Sequence, residues 1–302
     1  MVDISNKTNT LRTATAQALV RVSRPETIAA IENGTVPKGD VFAMSRAAGL
    51  LGVKKTPELL PDCHPLPIEY TGIEYRIEGL EIEVRVTIKT IYKTGVEVEA
   101  MHGASIVALN LYDMLKPIDK GIEIHRIKLL EKRGGKSDYK NESADVNAAV
   151  IVCSDSTARG EREDRSGKRL VELLAEWGVT DTEYAVVADE IPAIRAAVKG
   201  YAAAGTSLIL LTGGTGLSPR DVTPEAIRPL LDRAVPGIEE AMRAHGQQRT
   251  PYAMLSRSVA GTLGASLVLA LPGSTRGATE SMRAIFPAVL HTFKIMKGGN
   301  HG

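Results

Sequence analysis

Four short, unbroken apolar runs most constrain the second half of this chain: Ala148–Val152, Tyr184–Val187, Leu208–Leu211 and Leu267–Leu271. A strand wet on one face alternates polar and apolar residues, whereas a strand covered on both faces does not. These runs therefore read as strands of a parallel sheet. Helical stretches lie between and after them: Ser166–Trp177, Ile191–Ala204, Pro224–Ala234, Gly237–His245 and a closing helix over Thr279–Met296. Strand and helix alternating in this way predict a layered α/β fold.

The third run ends in LTGGTGLSPRDVTPEA, where Gly213, Gly214, Thr215 and Gly216 follow the strand directly. Without Cβ atoms a phosphate can approach the bare N–H groups of such a loop. Asp221 follows Gly216 by five residues, and Thr223-Pro224 reads as the cap and first position of a helix. The other strands end in Ser154-Asp155-Ser156, Asp189-Glu190 and Leu271-Pro272-Gly273-Ser274. Open α/β sheets bind ligands at the carboxyl ends of their strands. Magnesium takes one or two protein carboxylates plus water and substrate phosphate, which makes Asp189 and Asp221 its candidate ligands. Taken singly, each also reads as a helix N-cap or a surface acid. Two commoner nucleotide motifs are excluded. Pro219 occupies the third glycine position of a GxGxxG starting at Gly214, and Leu130 stands where a P-loop ending in Gly135-Lys136-Ser137 needs its first glycine.

The first half has another texture. Ile82, Val84, Val86 and Ile88 alternate with polar residues, and Ile73, Tyr75 and Ile77 do the same before Gly79, which predicts an antiparallel hairpin. Arg24–Asn33, closed by Gly34, and Val41–Val53 read as helices. Thr94-Gly95-Val96-Glu97 fits a capping box that opens a long helix to Lys116, and Pro117 ends it. Ile122–Leu130 reads as a returning strand. The polar segment Gly134–Asn147 marks the seam. The expected organisation is an α+β domain over 1–140, a linker over 141–147 and the α/β domain over 148–302.

Composition narrows the function. A formal net charge of +1 and 4% aromatic residues give no basis for a nucleic-acid partner. No apolar stretch is long enough to span a bilayer, and MVDISNKTNT has no signal-peptide core, so a cytoplasmic protein is expected. Cys63 and Cys153 are too far apart in sequence to suggest a zinc motif. Asp113 and Lys116 share a helix face. That spacing fits a surface ion pair worth about 0.3–0.5 kcal/mol. The functional alternative, which spacing alone does not favour over the ion pair, is an acid/base pair in which clustered lysines depress one another's pKa. Lys38, Lys136, Cys63, His64, Glu97 and Glu99 are further chemistry-bearing positions, with helix capping and first-turn charge as the plain readings of the two glutamates.

The second half, from Ala148 onward, resembles the molybdopterin adenylyltransferase family, which includes the G domain of gephyrin-type proteins. The resemblance is carried by Ser154-Asp155-Ser156, Glu163-Asp164-Arg165-Ser166-Gly167, Asp189-Glu190, TGGTGLSPRDVTPEA, Met254-Leu255-Ser256-Arg257 and Leu271-Pro272-Gly273-Ser274. It implies attack of a molybdopterin phosphate on the α-phosphate of ATP, with Mg²⁺ and ATP as cofactors. Asp189 and Asp221 would be catalytic and metal-binding, and Gly213, Gly214, Thr215, Gly216, Ser154 and Ser274 would bind substrate. The alternative is a scaffold that binds molybdopterin or holds an oligomer together without turnover.

The first half resembles the cyclic pyranopterin monophosphate synthase family through MVDIS, KGDVFAMSRAAG, CHPL, KTGVEVEA, LYDMLK and GGKS. That family has a ferredoxin-like fold and an active site between subunits. The resemblance implies lyase chemistry that converts cyclic dihydroguanosine triphosphate to cyclic pyranopterin monophosphate and pyrophosphate, with no cofactor. Asp113, Lys116, Lys38 and Lys136 would be catalytic. Cys63, His64, Glu97, Val98, Glu99 and Arg12 would line the substrate site, with Arg46 assisting. Pterin and nucleotide small molecules are the expected partners. Both resemblances include a three-fold axis, so a homo-hexamer is expected.

Overall fold

The computed structural model describes residues 1–135, 138 and 146–299, which divide into two compact units, Met1–Asp138 and Tyr139–Gly302. Lys136 and most of the linker segment 141–147 lie outside the described residues.

The first unit runs β1 (Thr10–Arg21), α1 (Pro25–Glu32), α2 (Val41–Lys54), α3 (Thr56–Leu59), β2 (Tyr70–Glu78), β3 (Glu81–Tyr92), α4 (Glu97–Leu115) and β4 (Glu123–Arg133). Its strands form one antiparallel sheet in the order β2-β3-β1-β4. A βαββαβ chain in this order is the ferredoxin-like α+β arrangement. The hairpin turns at Gly79, whose φ of 60° needs no Cβ. The central strand β1 has little strand signal in the sequence. Its period-two inner face is Ala14, Ala16, Ala18 and Val20, all fully buried, and alanine is depleted in strands. Above this face α2 and α4 pack almost backbone to backbone. A Cβ on Gly49 would lie 2.4 Å from Val107 Cγ2, and one on Gly103 would lie 2.5 Å from Val53 Cγ2.

The expected capping box does not form. Helix α4 begins at Glu97 with Val96 as its cap residue and no side-chain cap. Glu97 instead curls back over Gly95, where even a methyl group would collide with its carboxylate.

The second unit runs β5 (Ala148–Cys153), α5 (Asp155–Ala158), α6 (Ser166–Glu176), β6 (Thr182–Val187), α7 (Ile191–Ala203), β7 (Leu208–Thr212), α8 (Thr223–Ile227), β8 (Arg233–Ala234), α9 (Pro236–Gln247), β9 (Val259–Leu263), β10 (Ser266–Leu271), α10 (Thr275–Ile285) and α11 (His291–Met296). The sheet order is β6-β5-β7-β10-β9-β8. The first four strands are parallel, and β9 and β8 add an antiparallel edge. The unbroken apolar runs now have a physical account. Leu208 and Leu210 of β7 face the core formed with α6, α9 and α10, while Ile209 and Leu211 face the core formed with α7 and α8.

Two helix predictions fail here, both at prolines. The α-helix expected over 224–234 ends at Ile227 and tightens into a 3-10 turn over Arg228–Leu230, since Pro229 has no N–H to donate to an i−4 carbonyl. Arg233–Ala234 then pairs with β9 as a strand. The closing helix starts earlier, at Thr275, and breaks after Ile285, since Pro287 has no N–H with which to continue it. No helix among the described residues is long and apolar enough to cross a membrane.

Candidate functional sites

In the first unit, α1 is followed by a loop carrying Lys38, and α4 ends beside it. Lys38 Nζ donates to Asp113 Oδ2 at 2.6 Å and Lys116 Nζ to Asp113 Oδ1 at 2.7 Å, one lysine per carboxylate oxygen. The two bonds, with Lys116 the stronger influence, hold the Asp113 carboxyl down at about 2. Asp113 in turn pushes Lys116 above its usual value. This corrects the expectation of a depressed lysine. The carboxylate between the two ammonium groups outweighs their repulsion.

The opposite end of α4 holds the second group. Glu99 is 2% exposed and accepts the Cys63 thiol proton at 3.1 Å. Burial raises the Glu99 carboxyl, and burial together with Glu99 pushes the Cys63 thiol up to about 12. Cys63 is therefore a neutral hydrogen-bond donor rather than a thiolate nucleophile. His64 Nε2 is 2.8 Å from the Val2 carbonyl, and Val98 is exposed. Arg12 is buried and donates to the Tyr92 and Lys93 carbonyls. It lines a cleft of about 300 Å³ with Lys7, Lys93, Lys132, Arg133 and Glu97. A concave wall with that many cations suits a polyphosphate. Arg46 stands apart, 5.6 Å over the Tyr75 ring. Lys136 was expected to join the catalytic set and lies outside the described residues.

These positions form two clusters, not one. Asp113 lies sixteen residues beyond Glu97 on one continuous helix, about 24 Å at 1.5 Å per residue.

In the second unit the glycine loop is built to tolerances that exclude side chains. Gly213 and Gly214 have φ of 105° and 63°. A Cβ on Gly213 would lie 2.2 Å from the Cys153 carbonyl oxygen, and one on Gly214 would lie 2.3 Å from Thr223 Oγ1. Thr223 does not cap α8 as expected. Its hydroxyl donates to the Gly213 carbonyl and its N–H to the Gly214 carbonyl, closing the loop at its base. Ser154 and Ser274 cap α5 and α10. With Gly213, Gly273, Arg162 and Arg165 they line a cleft of about 470 Å³. Thr215 is buried and gives its carbonyl to the Arg257 N–H.

Asp189 and Asp221 do not line that cleft. They stand against Gly214 and Gly216 of the loop. A Cβ on Gly214 would lie 3.3 Å from Asp189 Oδ1, and one on Gly216 would lie 2.9 Å from Asp221 Oδ2. Neither acid caps a helix: the cap residue of α7 is Glu190, with no side-chain cap, and Asp221 accepts from the Ser218 N–H. Burial raises the Asp189 carboxyl, the Asp155 N–H partly offsets this, and the charges of Asp155 and Asp221 raise it further. Asp189 Oδ1 is buried with no hydrogen-bond partner among the described residues. A buried carboxylate oxygen without a hydrogen-bond partner, beside a glycine cradle, fits the chemistry of a cation ligand. The described residues contain no cluster of three or more His, Cys, Asp or Glu that could cage a metal alone. Magnesium does not require one.

Residues 1–135 match the MoaC family, and residues 149–291 match the "Probable molybdopterin binding domain" family. The whole chain is 42% identical to the molybdenum cofactor biosynthesis bifunctional protein of Synechococcus elongatus, covering 100% of this chain and 99% of that protein. The protein of that description from Chlorobaculum tepidum is 39% identical, over 100% of this chain and 96% of its own. The chain belongs to the molybdenum cofactor biosynthesis bifunctional protein family. Its first half alone is 52% identical to the cyclic pyranopterin monophosphate synthase of Geotalea uraniireducens, covering 47% of this chain and 90% of that protein.

Two residues of this bifunctional chain gain roles that motif reading did not assign. Asp164 caps α6, accepting from the N–H groups of Ser166, Gly167 and Lys168 and from the Tyr184 hydroxyl. Burial alone would raise its carboxyl, but those donors together hold it low. Arg257 reaches the glycine loop. Both residues sit inside the stretches that carry the resemblance, yet only the fold reveals what they touch.

Proposed function

We propose that the chain carries two activities of molybdenum cofactor biosynthesis. The first unit converts cyclic dihydroguanosine triphosphate to cyclic pyranopterin monophosphate and pyrophosphate. The Lys38–Asp113–Lys116 cluster supports this reading. Its fixed carboxylate positions two ammonium groups, which orient and exchange protons as the pterin ring rearranges. The cationic cleft around Arg12 suits the triphosphate. Because α4 separates these groups by about 24 Å, a complete site takes the Asp113 end from one copy and the Arg12–Glu97 end from a second. A hexamer with three-fold symmetry accommodates such pairing.

Subunit mixing tests this. Asp113→Asn and Glu97→Gln are each expected to be inactive alone. Co-refolded together, they should regain a substantial fraction of wild-type pyrophosphate release. Mixtures as dead as the parents, or a monomer mass with full activity, would sink the shared site.

The second unit transfers adenylate from ATP to molybdopterin. A bond forms between a molybdopterin phosphate oxygen and the α-phosphorus, the bond from that phosphorus to the bridging oxygen breaks, and pyrophosphate leaves. Positioning and charge neutralisation dominate such chemistry. Mg²⁺, when bound, neutralises phosphate charge, and Asp189 and Asp221 are the side chains to hold it. The amides of the glycine loop cradle the phosphates. Ser154, Ser274, Arg162 and Arg165 offer donors and positive charge in the adjoining cleft. The unpaired Asp189 Oδ1 carries this reading. The experiment is pyrophosphate release with molybdopterin and Mg-ATP, which Asp221→Ala should abolish. Molybdopterin binding with no release would leave the scaffold.

A further inference from the structure

The geometry points to Arg257 as the positioning residue that turns the glycine loop's amides toward its anionic ligand, a role that rests on the nucleotide reading of the second unit. All three guanidinium nitrogens are committed. Nε donates to the Gly216 carbonyl at 2.8 Å, Nη2 to the Asp221 carbonyl at 2.6 Å, and Nη1 to the Glu225 carboxylate. The Arg257 N–H adds a bond to the Thr215 carbonyl at 3.0 Å. One residue thus ties together the outgoing limb of the loop, its returning limb and the first turn of α8.

The consequence follows from peptide planarity. In a trans peptide the C=O and the next N–H point in opposite directions. Gathering the carbonyls of Thr215, Gly216 and Asp221 onto Arg257 therefore directs the N–H groups of Gly216, Leu217 and Val222 away from it. Among the described residues these three N–H groups have no hydrogen-bond acceptor. Successive free amides, here those of Gly216 and Leu217, are the groups from which an anion-binding nest is made. Asp221 lies in the same clamp, so its carboxylate, beside Gly216, is placed by the same contacts. Lysine cannot replace this arrangement, because an ammonium is a point charge and the acceptors here need a planar fork. The tip of the loop, Leu217 to Arg220, is exposed, so the clamp is where its shape is set.

The test uses the full chain with Arg257→Lys and Arg257→Ala. Binding is measured with two probes, Mg-ATP and inorganic pyrophosphate, and amide hydrogen exchange is followed across residues 213–222. Turnover is split into kcat and KM. Activity of the first unit and the melting temperature serve as folding controls. Arg257→Lys is expected to weaken both ligands about tenfold or more, the scale of a lost charge-assisted hydrogen bond. It should also speed exchange in the loop and raise KM for ATP, with first-unit activity and melting unchanged. Wild-type binding and loop protection in Arg257→Lys would overturn the proposal. If Arg257→Ala does not fold, Arg257→Lys decides alone. If the wild-type protein binds neither probe, the nucleotide reading fails, and faster loop exchange in Arg257→Lys still separates a true clamp from a false one.

Discussion

Asp155 and Asp189 bracket each other across the ends of β5 and β6. The Asp189 N–H donates to Asp155 Oδ1 at 3.0 Å, and the Asp155 N–H donates to Asp189 Oδ2 at 3.2 Å. This exchange fixes both strand ends and uses one oxygen of Asp189. The other, Oδ1, is left facing Gly214 unpaired. The structure thus holds a charge in place without satisfying it.

The first prediction follows from that strain. The Asp189 carboxyl is raised in the fold, chiefly by burial. Its protonated form therefore favours the folded state, and this contribution is lost as pH rises through the raised value. Without divalent cations, the second unit should melt lower at pH 7 than at mildly acidic pH, and saturating Mg²⁺ should reverse the loss. Asp189→Asn keeps an acceptor for the Asp155 N–H and removes the charge. It should stabilise the metal-free unit by about 1 kcal/mol. That is a melting shift of about 2–4 °C for a domain of this size. It should also abolish pyrophosphate release from ATP. Calorimetry showing a lower melting point for Asp189→Asn would refute the account.

Asp113 should behave in the opposite way. Its carboxyl is held at about 2, so it stays ionised at all working pH, and any stability it contributes is lost only as pH falls toward that value. Lys116 is raised, so its deprotonation lies in the strongly alkaline range. The pH–rate profile of the first unit should therefore show no limb from Asp113 or Lys116 between about pH 5 and 9. Asp113→Asn should cut turnover at least about a hundredfold, a typical loss for a removed acid/base group. Melting should barely move, because the cluster is half-exposed. A large melting loss would mark the cluster as structural.

Cys63 should be a poor nucleophile. With its thiol pushed up to about 12, alkylation at pH 8 should be far slower than for a free cysteine. Cys63→Ser can still donate to Glu99 and should keep most activity. Cys63→Ala removes the donor and should destabilise the first unit by about 1 kcal/mol. Rapid labelling of Cys63 by iodoacetamide in the native protein would contradict the assignment.

Two glycines with nearly equal φ separate backbone strain from steric exclusion. Gly79 has φ of 60° and open space around it, whereas Gly214 has φ of 63° and Thr223 Oγ1 at 2.3 Å from a Cβ position. Gly79→Ala should cost about 1–2 kcal/mol from the left-handed backbone alone. Gly214→Ala adds overpacking of about 1–3 kcal/mol and should also disturb ligand binding in the loop. Chemical denaturation of the two variants, unit by unit, measures the difference.

Much of this was legible in the residues. Strands β5, β7 and β10 were visible because both faces are buried, and the β2–β3 hairpin because only one is; β6, read as covered on both faces, is instead a half-exposed edge strand with Tyr184 exposed. Strand β1 was not, since alanines carry its inward face. Helix ends next to Pro229 and Pro287 were misplaced where apolar spacing ran past a proline. Among site residues, the joining of Lys38 to Asp113 across 75 positions could not be read from spacing. Nor could the division of the second site, with Ser154 and Ser274 lining the cleft and Asp189 and Asp221 set against Gly214 and Gly216 instead. Periodicity reports which face is buried. It does not report which loop folds over which.

Helix α4 acts as a ruler. Its nineteen residues keep Glu97 and Asp113 farther apart than any rotamer of lysine or arginine can bridge. Under the shared-site proposal an isolated copy of the first unit is half a tool at each end. Its specific activity should decline on dilution, as copies part company, while every molecule stays folded.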